Sequence, residues 1–182
     1  MFDFSVTRLL FLLISFASLA CAQDTLELNK PTKRDLSVGQ SHAYALTLGA
    51  QQFLNLIVEQ QGIDVEVALF GPDDKPVAKL DASGSNGTEA LSVVAAVTGS
   101  YRLVVQPADA KAKPGAYQIT MLALRPATVA DQAVGAAFAS YLESLAFIAQ
   151  KKNAEAIAAQ EKALAQLEQQ FASDATALQS LP

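Results

Sequence analysis

The 182-residue sequence has no tryptophan, one cysteine and one histidine, and each scarcity closes off some chemistry. A single cysteine cannot form a disulfide within the chain, so stability has to come from a packed core. A zinc site built from Cys and His lacks its ligands. Ser-His-Asp catalysis would need His42, which stands beside Ser41 at the start of a predicted strand, with no Gly-x-Ser-x-Gly turn in the chain; a surface role is expected for it. Basic charge is also scarce. Thirteen Lys and Arg face eighteen Asp and Glu, for a net charge of −5, and no basic stripe is present. That balance argues against nucleic acid and anionic lipid surfaces as partners. Gly84-Ser-Asn-Gly87 lacks the Gly-Lys-Ser/Thr ending of a phosphate-binding loop. Asp73-Asp74 with Asp64 or Asp81 could offer oxygens to Ca²⁺, but Asp is an ordinary turn residue. The expectation is no catalytic residue, no cofactor and no metal.

What is present begins with an apolar N-terminus. Arg8 precedes Leu9–Leu19, eleven mostly apolar residues, and then Ala20-Cys21-Ala22. The run is too short for a permanent bilayer span and reads as a signal peptide over residues 1–22. Two cleavage readings stay open. Ala20-Cys21-Ala22 is an A-x-A site that releases a soluble chain. Ser18-Leu19-Ala20-Cys21 resembles a bacterial lipobox, with Ser18 where Leu is usual, and would leave Cys21 carrying a lipid anchor. The reading leans to lipidation of Cys21, because the only cysteine falls where the lipid would attach; several acyl chains would give stable anchoring. On either reading a Cys–His pair is excluded.

Residues 26–125 alternate polar and apolar positions in short runs. Gly99-Ser-Tyr-Arg-Leu-Val-Val105 and Gly115-Ala-Tyr-Gln-Ile-Thr-Met121 share one pattern: Gly, a skipped residue, Tyr, then alternation. A period of two marks a half-buried strand. Further strands are expected at Leu26–Leu28, Ser41–Leu48, Gln52–Gln60, Asp64–Phe70, Pro76–Leu80 and Thr88–Val97, with a polar stretch between Pro31 and Arg34. About eight strands at spacings near ten residues predict a β-sandwich rather than βαβ units. Tyr101 and Tyr117 are expected to bury their rings and send their hydroxyls to backbone partners.

These residues carry a resemblance. Leu36, Gly39, Tyr44, Leu46 and Leu48 form an opening of the type Leu-x-x-Gly-x-x-x-x-Tyr-x-Leu-x-Leu. The strand Leu54-Asn-Leu-Ile-Val58 follows, then Asp64–Phe70 ending in Gly71-Pro72-Asp73, then the two Gly-x-Tyr strands. Together they resemble the bacterial pre-peptidase C-terminal domain. The resemblance implies a jelly-roll-like sandwich and a non-catalytic accessory or binding module; no peptidase segment follows it here.

Residues 128–182 change period. Thr128 is a candidate N-cap with Asp131 three residues on. Val134, Ala137, Phe138, Tyr141, Leu142, Leu145 and Ile148 then recur at helical spacing. Lys151-Lys152-Asn153 interrupts, and Ile157, Leu164, Leu167 and Phe171 mark a second helix. Two helices joined by a few residues form an αα-hairpin. The run Ala154–Leu164, rich in small residues, resembles the second helix of a tetratricopeptide repeat. It departs from that pattern at Gln160, where an aromatic is common, and at Lys151, where the turn glycine is common. One unit alone cannot bury its apolar face. The fold expected is thus an all-β jelly-roll-like sandwich with a C-terminal αα-hairpin, preceded by a signal peptide.

The function expected is non-catalytic: a secreted or lipid-anchored protein of the cell envelope, periplasmic or outer-envelope, acting as an interaction module. Its partner would be an envelope protein or a second copy, met through the hairpin at Phe138, Tyr141, Phe147 and Phe171, with Phe147 the residue most left exposed. The alternative is a sandwich that binds glycan or peptide. The absence of Trp weighs against the glycan form.

Overall fold

The computed structural model describes residues 25–179, with side chains through residue 173. The expected signal peptide and Cys21 lie outside the described residues. Eight strands run β1 (Thr32–Leu36), β2 (His42–Leu48), β3 (Gln52–Gln61), β4 (Val65–Phe70), β5 (Pro76–Leu80), β6 (Thr88–Val94), β7 (Gly99–Pro107) and β8 (Gly115–Pro126). Two helices follow, α1 (Val129–Ala149) and α2 (Asn153–Gln179). One sheet has the order β1-β8-β3-β6 and the other β2-β7-β4-β5, with every strand pair antiparallel. This is the double Greek-key order of a jelly roll.

The inward positions are those that the alternation predicts. Tyr44, Leu46 and Leu48 of β2, Leu54, Leu56 and Val58 of β3, Val65, Val67 and Leu69 of β4, and Leu103 and Val105 of β7 join one continuous core. Each fully buried aliphatic side chain contributes about 1.5–3 kcal/mol relative to exposure.

Three features depart from the expected strands. Leu26–Leu28 does not open the sandwich; Leu28 makes only an isolated bridge to Met121, and β1 forms in the stretch read as polar. It is an edge strand on β8 whose only fully buried side chain is Leu36, so one solvated face tolerates Lys33 and Asp35. Strand β6 ends at Val94, and Val97 is exposed rather than inward. Strand β8 continues past Met121 through a bulge: Leu56 pairs with Met121 but Asn55 pairs with Ala123, leaving Leu122 over. The extra residue flips the phase, so Leu122 points out and Leu124 packs against the core.

The two Gly-x-Tyr strands lie in opposite sheets, and both glycines are required by close approach. A Cβ on Gly99 would sit 2.4 Å from the Pro72 ring, and one on Gly115 would sit 2.8 Å from both the Gln61 carbonyl oxygen and the Ile63 nitrogen. Two residues on, each Tyr fills the core. The Tyr101 hydroxyl donates to the Val97 carbonyl at 2.8 Å, the backbone bond expected. The Tyr117 hydroxyl instead meets two side chains, Tyr44 Oη at 2.6 Å and His42 Nδ1 at 2.8 Å.

The helices add two further layers. Helix α1 starts in a full capping box: Asp131 N–H donates to Thr128 Oγ1 and Thr128 N–H to the Asp131 carboxylate. On the sandwich it packs mainly against β6, and less against β5 and β3. Phe138 and Leu142 rest against the sandwich core, on the side where edge strands β5 and β6 face each other. Helix α1 is long and apolar enough to cross a membrane by length and composition; here Phe138 and Leu142 lie against the sandwich, and much of the remaining surface is exposed. The second helix runs back antiparallel, with Ala156 and Ala159 buried and Ser140 and Ser144 of α1 buried opposite. Ser140 Oγ donates to Gln166 Oε1 at 3.2 Å.

Candidate functional site

Helix α2 is the outermost layer, and its own sequence decides which face is left uncovered. Small residues at 156, 159 and 163 let it approach α1 closely. Ile157, Leu164 and Phe171 recur every seven residues, so they share one stripe turned away from that contact. They are 56%, 57% and 69% exposed. Glu161 and Glu168 flank the stripe and are exposed. Exposed apolar residues scattered singly need no explanation, but three aligned on one helix face form a surface suited to a partner helix.

The four aromatics expected to make the interaction surface do not share one. Phe138 packs on the sandwich core, and the half-buried Tyr141 ring lies 6.4 Å from it. Phe147, expected to be the most exposed, is half-buried, with the Lys152 ammonium 5.8 Å from its ring centre. Of the four, only Phe171 is exposed. The reason is the layer order: α1 lies between the sandwich and α2, so most of its aromatics are covered from one side or the other.

Two polar clusters went unnoticed in the sequence. Glu89 is buried in β6, and its carboxylate accepts from Ser83 N–H at 2.7 Å, Ser83 Oγ at 2.6 Å, Ala82 N–H at 3.1 Å and Gln60 Nε2 at 3.3 Å. Gln60, also buried, accepts from Val65 N–H at 2.7 Å. The cluster fixes the loop after β5 to the sandwich, and with this many partners it is a structural anchor. Strand parity could have found it: Glu89 shares a face with Leu91 and Val93, and Gln60 with Leu56 and Val58. The second cluster is His42, Tyr117 and Tyr44. Burial first, and then Arg34, lower the His42 pKa, which keeps the ring neutral near pH 7. Burial raises the Tyr44 pKa and raises that of Tyr117 strongly, so both phenols stay protonated. His42 is therefore a half-buried hydrogen-bonding partner rather than a plain surface residue.

The carboxylates considered for calcium separate into two groups. Asp73 pairs with Lys75 at 2.8 Å, and Asp74 pairs with Arg102, both in the β4–β5 turn. Asp64 and Asp81 lie at the opposite end of that hairpin, about 20 Å away by strand length. Among the described residues no group of three His, Cys, Asp or Glu is placed to hold a metal ion.

No family model matches the chain, and no curated protein matches it. Solved structures similar to it include the pre-peptidase C-terminal domain of a collagenase from Bacillus anthracis, at 18% identity over 54% of this chain and 95% of that one, with a TM-score of 0.42. They also include PliG, a periplasmic inhibitor of g-type lysozyme. The Aeromonas hydrophila protein is 15% identical over 50% of this chain and 84% of its own, with a TM-score of 0.40. The Salmonella Typhimurium protein is 16% identical over 54% and 96%, with a TM-score of 0.38.

Proposed function

We propose that this chain is a non-catalytic accessory module of the bacterial cell envelope, exported by its N-terminal signal and held by a lipid on Cys21, and that it engages another protein through α2. The observation that carries the reading is the stripe of Ile157, Leu164 and Phe171 on the outermost layer. The sandwich supplies a rigid base, and α1 ties that base to α2. The tetratricopeptide-like character of the hairpin belongs to the same reading and is supported by the Ala-lined contact between the helices.

The test uses the full chain with Ile157, Leu164 and Phe171 all changed to Ser. These side chains are exposed, so the variant should keep its circular dichroism spectrum and melting temperature. It should lose the partner that wild type captures from envelope extract, or the self-association seen by sedimentation velocity. Unchanged capture and association would sink the assignment to α2. The anchor has its own test: Cys21→Ser should move the protein from the membrane fraction to the soluble fraction, and an unmoved protein would rule out lipidation there.

A further inference from the structure

A groove of about 600 Å³ runs between the C-terminal half of α1 and strand β5. Its apolar lining includes Val77 from β5 and Leu145 and Ala146 from α1. Strand β5 is the end strand of its sheet, so one of its edges has no strand partner. Such an edge is a template for an added strand. The volume lies in the range of small-ligand and peptide sites.

The charge of the groove has one sign in excess. Glu66, Asp81 and Glu143 line it, against the single cation Lys79. Lys79 is already engaged, its ammonium 2.8 Å from Glu66. Neither Asp81 nor Glu143 is ion-paired among the described residues. Asp81 is further crowded by its own sign: burial first, then Asp64, Glu89 and Glu66, raise its pKa, and only Lys79 opposes them. The surface therefore combines an open strand edge, an apolar wall and two carboxylates without counter-ions. That combination suits an incoming cation better than a second copy of this acidic chain.

We propose that the groove between α1 and β5 binds a short extended polypeptide segment carrying basic side chains, which adds along the β5 edge, sets an apolar side chain against Val77, Leu145 and Ala146, and pairs its cations with Asp81 and Glu143. The site is separate from the α2 stripe, and it goes beyond the interaction assigned to that helix. Backbone hydrogen bonds along the edge supply affinity without sequence preference; the apolar wall and the carboxylates select segments that carry apolar and basic side chains on one face.

The probe is a fluorescein-labelled, capped hexapeptide, Val-Val-Lys-Lys-Val-Val, which shows valine and lysine together on each face of a strand, titrated by anisotropy into the full mature chain at low salt. Saturable binding is expected, and the glutamate-valine counterpart should not bind. The double variant D81N/E143Q should weaken binding about fivefold, the scale of two partly exposed ion pairs. Ala146→Phe, a change at an exposed helix position, should fill the groove and weaken binding at least as much while the melting temperature holds. The variant with Ser at 157, 164 and 171 should bind like wild type, which separates this site from the one on α2. Absence of saturable binding would overturn the proposal. So would equal binding of the glutamate peptide, indifference to Ala146→Phe, or loss of binding in the α2 variant. A peptide N-methylated on alternate amides should bind more weakly, and equal affinity would overturn the strand-addition geometry.

Discussion

Arg125, the next-to-last residue of β8, holds Asp131, the third residue of α1, through two guanidinium nitrogens, one of them 2.9 Å from the carboxylate. Asp131 is the same residue that closes the capping box with Thr128. One carboxylate thus joins the sandwich to the helices. It ends the sheet, starts the helix and fixes the angle between them, since Arg125 is committed to β3 by its pairing with Phe53 and its guanidinium lies 5.7 Å from the Phe53 ring centre.

The first prediction concerns that carboxylate. Arg125 foremost, then hydrogen bonds from Thr128, outweigh burial and hold the Asp131 pKa at about 2, below its ordinary 3.8. A depressed carboxyl contributes stability that is complete above its unfolded pKa and lost as pH falls through the folded one. Wild type should therefore lose this contribution between about pH 4 and pH 2. Asp131→Asn should be less stable at pH 7 by about 1–2 kcal/mol in urea denaturation and should show a flatter acid limb. Parallel acid limbs for the two proteins would show that the pair does not stabilise the fold.

A second pH dependence sits toward the other end of β8, where Tyr117 meets His42. His42 has a lowered pKa because burial and Arg34 disfavour its charged form. The folded state then binds a proton less readily than the unfolded chain. Its contribution is complete above the unfolded value near 6.5 and is lost as pH falls through the folded value. Replacing His42 by Gln removes this titration, so the stability difference between pH 7.5 and pH 5 should be smaller in H42Q than in wild type. Tyr117→Phe, which deletes the hydroxyl shared by His42 and Tyr44, should cost about 1–2 kcal/mol at pH 7.5. A larger pH 7.5-to-5 difference in H42Q than in wild type would contradict the assigned direction.

The third prediction follows from the turn between the helices. Lys151 has φ +59. Its N–H reaches the Ile148 carbonyl at 2.9 Å, and that of Lys152 reaches Phe147 at 2.9 Å. This is the paired bonding of a Schellman motif, in which the left-handed position usually belongs to glycine. The sequence showed Lys151 standing at that position. Lys151→Gly relieves the Cβ strain of about 1–2 kcal/mol but gives some back in unfolded-chain entropy, so a net gain of about 0.5 kcal/mol is expected. Lys151→Val should destabilise instead. Thermal melts of the two variants that shifted in the same direction would contradict this account.

How much was legible in the sequence varied with the physics of each element. Inward strand positions could be read because a period of two has one outcome wherever a face is buried; Tyr101, Leu103 and Val105 are one example. The helical hairpin could be read from its 3.6 period and Thr128 cap. Strand β1 could not, because an edge strand made of Thr32, Lys33, Arg34 and Asp35 has almost no apolar signal. The bulge at Leu122 could not either, since one extra residue leaves the local composition unchanged. The exposure of α2 was half legible. The seven-residue spacing of Ile157, Leu164 and Phe171 was visible, but which face is covered depends on the order in which layers stack. That order left Phe171 outside and drew Phe138 and Phe147 inward.

The glycines that open β7 and β8 give the last prediction, because one sequence motif meets two different neighbours. At Gly115 an added methyl would collide at 2.8 Å with backbone atoms of Gln61 and Ile63. Those atoms belong to the end of β3 and the turn after it, and they are held by the β3–β8 register down to Gln61 and Ala116. At Gly99 the methyl would meet the ring of Pro72 at 2.4 Å, a nominally worse overlap. Pro72, however, is exposed, and it sits in the turn between β4 and β5, which can move outward without breaking a strand pair. The physical cost follows what must be displaced rather than the shorter distance. Gly115→Ala should therefore destabilise by about 2–3 kcal/mol and Gly99→Ala by about 1 kcal/mol, measured by urea denaturation at pH 7.5. The reverse order would mean that the β4–β5 turn is the more rigid of the two, and that it, rather than the β3–β8 pair, fixes how the sheets face each other.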